Sequence, residues 1–127
     1  MLSFFKKKYQ RHKLGSKGEK IARRLLKNKG LDILCNNYKV KAGEIDIVAL
    51  DAKTVCFVEV KTRSKSDYYR PADGLKTKQQ ERIVKAGLKY LQSINLEKPS
   101  YRFDLIEIVY GKWDVIEVRH WESHFHQ

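Results

Sequence analysis

The sequence predicts an α/β fold, a single domain in the order helix–three strands–helix–two strands, with a mixed sheet flanked by helices. Three observations predict it. Gly43 to Lys61 (GEIDIVALDAKTVCFVEVK) alternates with a period of two on either side of Asp51-Ala52-Lys53, as a β-hairpin does. Residues 16–28 and 77–91 carry apolar side chains at helical spacing. A second strand pair, Tyr101 to Tyr110 and Asp114 to Trp121, meets at Gly111-Lys112. At 127 residues the chain is long enough to bury one core.

In order along the chain, residues 1–14 form a basic N-terminal arm with Phe4, Phe5 and Lys6-Lys7-Lys8, suited either to a phosphate backbone or to a frayed terminus. Residues 15–127 form the domain. Ser16-Lys17-Gly18-Glu19 is a capping box that starts a helix to about Asn28; Ile21, Ala22, Leu25 and Leu26 make its apolar face, and Gly30 stops it. Glu19 lies at the edge of that face, where it either caps the helix or reaches the rim of a sheet. Leu31 to Val40 reads as a first strand, irregular at Asn36-Asn37, and Ala42-Gly43 turns it into the hairpin.

Within the hairpin Asp46, Glu59 and Lys61 interrupt otherwise apolar strands, and such interruptions mark functional sites. An even turn centred on Ala52-Lys53 pairs Leu50 with Val55, Val48 with Phe57, Asp46 with Glu59 and Glu44 with Lys61, all on one face. Ile45, Ile47, Ala49, Cys56, Val58 and Val60 make the other face. Opposed Cβ atoms lie ~4.5–5.5 Å apart, so Asp46 and Glu59 can share one cation; unneutralised, they repel. The bland alternative is a Glu44–Lys61 ion pair with both other acids hydrogen-bonded.

After the hairpin, Tyr68-Tyr69-Arg70-Pro71 offers stacking groups in a polar stretch. The second helix runs from about Thr77 to Leu91, with Ile83, Val84, Gly87, Leu88 and Leu91 toward the core and Lys76, Lys78, Arg82, Lys85 and Lys89 outward. Such a helix serves as a crossover and sets the fourth strand parallel to one of the first three. Asp104 shares a side with Ile106 and Ile108, so it reads as a paired structural carboxylate. His120, His124 and His126 near the chain end have ligand spacing but lack acidic or thiol support.

Lys and Arg number 27 against 15 Asp and Glu, a net charge of +12 that suits a polyanionic partner, nucleic acid before an acidic membrane surface. Cys35 and Cys56 form no disulfide or zinc pattern, no apolar run is long enough to span a bilayer, and the N-terminus lacks a signal-peptide core. The expected location is the cytoplasm.

Asp46 followed by Glu59-x-Lys61 on the next strand, in an α-β-β-β-α-β order, resembles the PD-(D/E)XK nuclease superfamily with its restriction-endonuclease-like core, and the order is similar to archaeal Holliday junction resolvases. Gly18-Glu19, Gly43-Glu44-Ile45-Asp46, Phe57 to Arg63, Lys78-Gln79 and Tyr101-Arg102-Phe103-Asp104 more closely resemble the YraN-like family of bacterial proteins, over residues 15 to about 125. Ile45 stands where the superfamily has proline, and no Gln-x-x-x-Tyr follows on the second helix.

The resemblance implies a metal-dependent nuclease acting on DNA, branched or single-stranded. In it Asp46, Glu59 and the Val60 carbonyl hold Mg²⁺ or Mn²⁺, and metal-activated water attacks a phosphodiester. It also implies that Lys61 neutralises developing charge, with Glu19 as a further acid. Arg63, Lys78, Gln79 and Arg82 would then contact nucleic acid. Junction cleavage would imply a two-fold homodimer. The alternative is a non-catalytic nucleic-acid-binding or assembly protein on a nuclease fold, or an RNA-associated factor in which only the charge matters.

Overall fold

The computed structural model describes residues 16–65, 77–94 and 98–125. Helix α1 covers residues 16–28. Strands β1 (Asp32–Val40), β2 (Gly43–Asp51) and β3 (Thr54–Ser64) follow, then α2 (Thr77–Ser93), β4 (Ser100–Tyr110) and β5 (Val115–Phe125). The five strands lie in one sheet in chain order, antiparallel except for β3 with β4, which are parallel. The sequence-predicted α/β domain with its mixed sheet is therefore the observed one, and α2 is the crossover. The basic arm, residues 1–14, and Tyr68-Tyr69-Arg70-Pro71 lie outside the described residues.

Each face of the sheet carries one helix. Under α1, Ala22 and Leu26 pack on Ile47, Ala49, Cys56, Val58, Ile106 and Ile108. Under α2, Ile83 and Ala86 pack on Val48, Val55, Phe57, Phe103, Leu105 and Phe125. Ala86 is buried and Leu88 only half-buried, because the helix approaches on its small side chains. A Cβ on Gly87 would stand 3.1 Å from ring atoms of both Phe57 and Phe103.

Gly43 makes a closer contact still: a Cβ there would collide with the Arg82 carbonyl oxygen and lie 2.9 Å from its carbonyl carbon. Backbone cannot swing aside as a side chain can, so the start of β2 fixes the first turns of α2. Gly43→Ala should cost about 1–3 kcal/mol through overpacking, read as a lower urea midpoint with unchanged slope. Gly18 plays the matching part for α1, its missing Cβ facing the Thr62 methyl at 2.6 Å.

Strand β5 extends past Trp121, where the sequence pattern ends. A bulge lies between Phe103↔Phe125 and Leu105↔Trp121, with Ser123 at φ 49°. It returns Phe125 to the core, stacked 5.1 Å from Phe103. Asp104, fully buried, holds that bulge: its carboxylate accepts from Ser123 N–H at 3.0 Å, Arg102 Nε at 3.1 Å and His120 Nε2 at 2.9 Å. Burial alone would raise its pKa, but the His120, Ser123 and Arg102 contacts outweigh burial and hold it below the usual carboxylate range. Lys29 Nζ donates to His120 Nδ1 at 2.8 Å, which ties the end of α1 to the same network. His120 is thus a structural group, and His126 lies outside the described residues.

Candidate active site

The β2–β3 hairpin has the even register that its sequence predicts. Asp51 pairs with Thr54 across Ala52-Lys53, and Leu50↔Val55 and Val48↔Phe57 follow. The ladder ends at Ile47↔Val58. One residue beyond, Asp46 takes over: its Oδ2 accepts the Val60 N–H at 2.8 Å, and a carboxylate replaces the backbone acceptor that β2 would otherwise supply. The strands part there, short of a Glu44–Lys61 pairing.

That parting corrects one expectation. Ile45 does not share a face with Ile47: Ile47 packs beneath α1 and Ile45 beneath α2. The chain rolls over at Asp46, and on the adjoining strand Asn37, which stands between the pairs Asn36↔Ile47 and Tyr38↔Ile45, has φ 53°. A left-handed asparagine is tolerated because its short polar side chain bonds locally. The roll puts a carboxylate at the point where the sheet opens.

Asp46 and Glu59 are half-buried and joined by a side-chain hydrogen bond. Burial drives the Asp46 carboxyl up to about 6, with help from Glu19 and Glu44 and against the Val60 N–H. Burial also drives Glu59 up to about 8, reinforced by the charge and hydrogen bond of Asp46 and by Glu44, and offset in part by Lys61. Near neutral pH the pair therefore holds one proton between two carboxyls, which removes the repulsion anticipated from their sequence positions.

The elements around the pair bring further groups to it. The fit of Gly18 over Thr62 and Ile108 sets the first turn of α1 on this end of the sheet, and the charge of Glu19 acts on Asp46. From α2, Gln79 Nε2 donates to Glu59 Oε1 at 3.2 Å. A cavity of about 440 Å³ opens beside it, lined by Glu44, Glu59, Lys78, Gln79, Arg82 and Ile83. Lys78 and Arg82, four residues apart and exposed, form its basic side.

The structure brings Asp46, Glu59, Lys61, Glu19, Gln79, Lys78 and Arg82 to one end of the sheet, with Val60 supplying backbone. Arg63 does not join them. Its side chain is only 11% exposed, and its Nε lies 2.7 Å from Oε2 of the buried Glu107. That contact is one of charge, since the N–H is not aligned for a hydrogen bond. Glu107 Oε1 accepts from Trp121 Nε1 at 2.7 Å. Arg63 thus neutralises a core carboxylate and is turned away from phosphate. Among the described residues no three His, Cys, Asp or Glu side chains form a metal-holding group.

Sequence reasoning missed Glu44 as a cavity wall and Gln79 as the partner of Glu59. It also missed Glu107, although an acid between Ile106 and Ile108 was the visible signal. Cys56 stays inert as its apolar setting suggests, since burial pushes its thiol up to about 12. No helix among the described residues is long and apolar enough to cross a membrane.

Residues 18–108 match the model of the uncharacterised protein family UPF0102. A UPF0102 protein of Chlorobium limicola is 38% identical over 108 residues, covering 85% of this chain and 84% of its own length. One from Caldanaerobacter subterraneus subsp. tengcongensis is 42% identical over 102 residues, 80% of this chain and 84% of that protein. A third, from Chlorobium phaeobacteroides, is 42% identical over 98 residues, 77% and 78% of the two chains. The match spans both helices, the hairpin and most of β4, including every residue gathered around Asp46 and Glu59. The chain belongs to the uncharacterised protein family UPF0102.

Proposed function

We propose that the protein is a metal-dependent nuclease whose centre is the Asp46–Glu59 pair. The observation that carries this reading is the hydrogen-bonded, half-buried carboxyl pair at the parting of β2 and β3, whose Glu59 lines a cavity with a basic wall. Strained electrostatics of that kind mark sites where charge is to be handled.

The donor set suits Mg²⁺ or Mn²⁺. Asp46 and Glu59 offer hard oxygen ligands, the Val60 carbonyl is available beside them, and Mg²⁺ is commonly held by one or two carboxylates with water completing its shell. Bound there, the cation supplies Lewis-acid stabilisation of phosphoryl charge and lowers the pKa of water. The chain's own residues do the rest. The Gln79 carboxamide fixes one oxygen of Glu59. Lys61 offsets negative charge at Glu59 and, with a phosphodiester in place, the charge that develops on its oxygens. Lys78 and Arg82 bind flanking phosphates from the cavity wall, and Glu19 adds a further acid on the α1 side.

Nucleic acid as substrate follows from the +12 charge together with that wall. DNA with branched or unpaired segments is the form that the resemblance to junction resolvases suggests. A binding protein without cleavage is the second reading, favoured by the want of a third acidic ligand among the described residues.

A panel of single-stranded, duplex, flap and four-way DNAs, incubated with Mg²⁺ or Mn²⁺ beside the Glu59→Ala protein, tests the proposal. Metal-dependent cutting by the wild type alone is expected. Binding without cutting on every member would favour the second reading, and cutting by Glu59→Ala would trace the activity to another protein.

A further inference from the structure

We infer that Trp113, at the tip of the β4–β5 hairpin, is a stacking platform for an unpaired base of bound nucleic acid. The inference deepens the proposed function and rests on its nucleic-acid reading, but not on cleavage.

The residue is out of place by ordinary physical rules. A tryptophan buries on the order of 150–250 Å² when it packs, yet Trp113 is 87% exposed. The turn that carries it is closed on itself: Gly111 N–H donates to Asp114 O at 2.7 Å, and Val115 N–H donates to Asp114 Oδ1 at 2.7 Å. A closed turn fixes the backbone that carries the ring, so little backbone freedom is left to lose on binding. Lys112 Nζ stands 5.3 Å from the ring centroid, so one ring face carries a cation and the other is open.

Position and charge select the occupant. In the parallel register Glu59 pairs with Leu105 and Ser64 with Tyr110, so β4 ends at the foot of the turn five residues along the sheet from Glu59, or about 17 Å at strand rise. The first turn of α1 borders both places. Lys17 Nζ lies 4.0 Å from Asp114 Oδ1, while the charge of Glu19, two residues on, reaches Asp46. A strand held at the carboxyl pair would thus cover the sheet to the foot of the turn in about five stacked steps of ~3.4 Å, with the ring three residues farther along the chain. Lys17 and Lys20 on α1, Lys65 just past the end of β3 and Lys112 in the turn itself are exposed. An aromatic face set among lysines fits a base with its phosphates; an acidic protein surface would satisfy the lysines and leave the ring without a matched partner.

The test uses the full chain in chelator, so that no cleavage intervenes, with one labelled duplex bearing a single-stranded overhang and one blunt duplex. Trp113→Ala should weaken binding of the overhang substrate about tenfold and hardly change the blunt one; Trp113→Phe should recover most of the loss. Tryptophan emission should be quenched by the overhang substrate in the wild type and not in Trp113→Ala. Equal affinity of wild type and Trp113→Ala for the overhang substrate would overturn the inference. If the wild type binds neither duplex, the nucleic-acid reading itself falls.

Discussion

Glu59→Gln should make the protein more stable at pH 8 in chelator while lowering metal-dependent cleavage roughly a hundredfold or more. Both effects have one cause. In the folded chain Asp46 titrates near 6 and Glu59 near 8, against ordinary values of 3.8 and 4.5. The native state therefore keeps protons that the unfolded state has released, and stability falls as pH rises through that window. The contribution of the pair is complete below about pH 4, is lost between about 4 and 8, and amounts to a few kcal/mol in all. A neutral amide at position 59 keeps the bond from Gln79 or an equivalent one, removes the charge that burial penalises there, and flattens the upper part of the profile, leaving the part that belongs to Asp46. Melting curves from pH 4.5 to 8.5, with and without Mg²⁺, read this directly. The wild type should lose stability with rising pH up to about 8 in chelator and regain it with Mg²⁺; the variant should lose only the Asp46 part, between about pH 4 and 6, and regain little with Mg²⁺.

Asp104→Ala should have the opposite character, a large loss of stability with the chemistry of the folded fraction intact. The carboxylate is fully buried and satisfies Arg102, His120 and Ser123 N–H together. Its removal leaves the His120 and Ser123 donors without that acceptor at the bulge that returns Phe125 to the core. Breaking a buried charge network in this way costs about 3–5 kcal/mol. Arg102 keeps Asp51 at 3.0 Å, which limits the damage on that side. Urea unfolding measures the loss; metal affinity measured below the unfolding transition should match the wild type.

These two carboxylates show what a sequence discloses. The hairpin register was legible because a two-residue turn and a period of two leave few choices, and it brought Asp46 within reach of Glu59. Asp104 was legible as structural because it sits on a strand face with Ile106 and Ile108. The roll at Asp46 was not legible. It depends on a left-handed Asn37 in a neighbouring strand and on one side chain taking the place of a backbone acceptor, and neither leaves a periodic trace. The fate of Arg63 was hidden for a different reason. Parallel pairing of β3 with β4 sets the Glu-x-Lys strand alongside Glu107, more than forty positions away in the chain, and only that juxtaposition turns a surface-type cation into a core counter-charge. Gln79 was visible as a polar residue on a basic helix, but its bond to Glu59 follows from how Gly43 seats α2.

If Asp46 and Glu59 form a cation centre, a proton occupies it when the cation is absent, and the cation must displace that proton on binding. Calorimetric titration of the wild-type protein with Mn²⁺ at pH 7, in two buffers of different ionisation enthalpy, tests it most directly. Mn²⁺ should bind with release of about one proton per ion, and that binding should be lost in both Asp46→Ala and Glu59→Ala. Binding without proton release, or binding that survives in both variants, would contradict it.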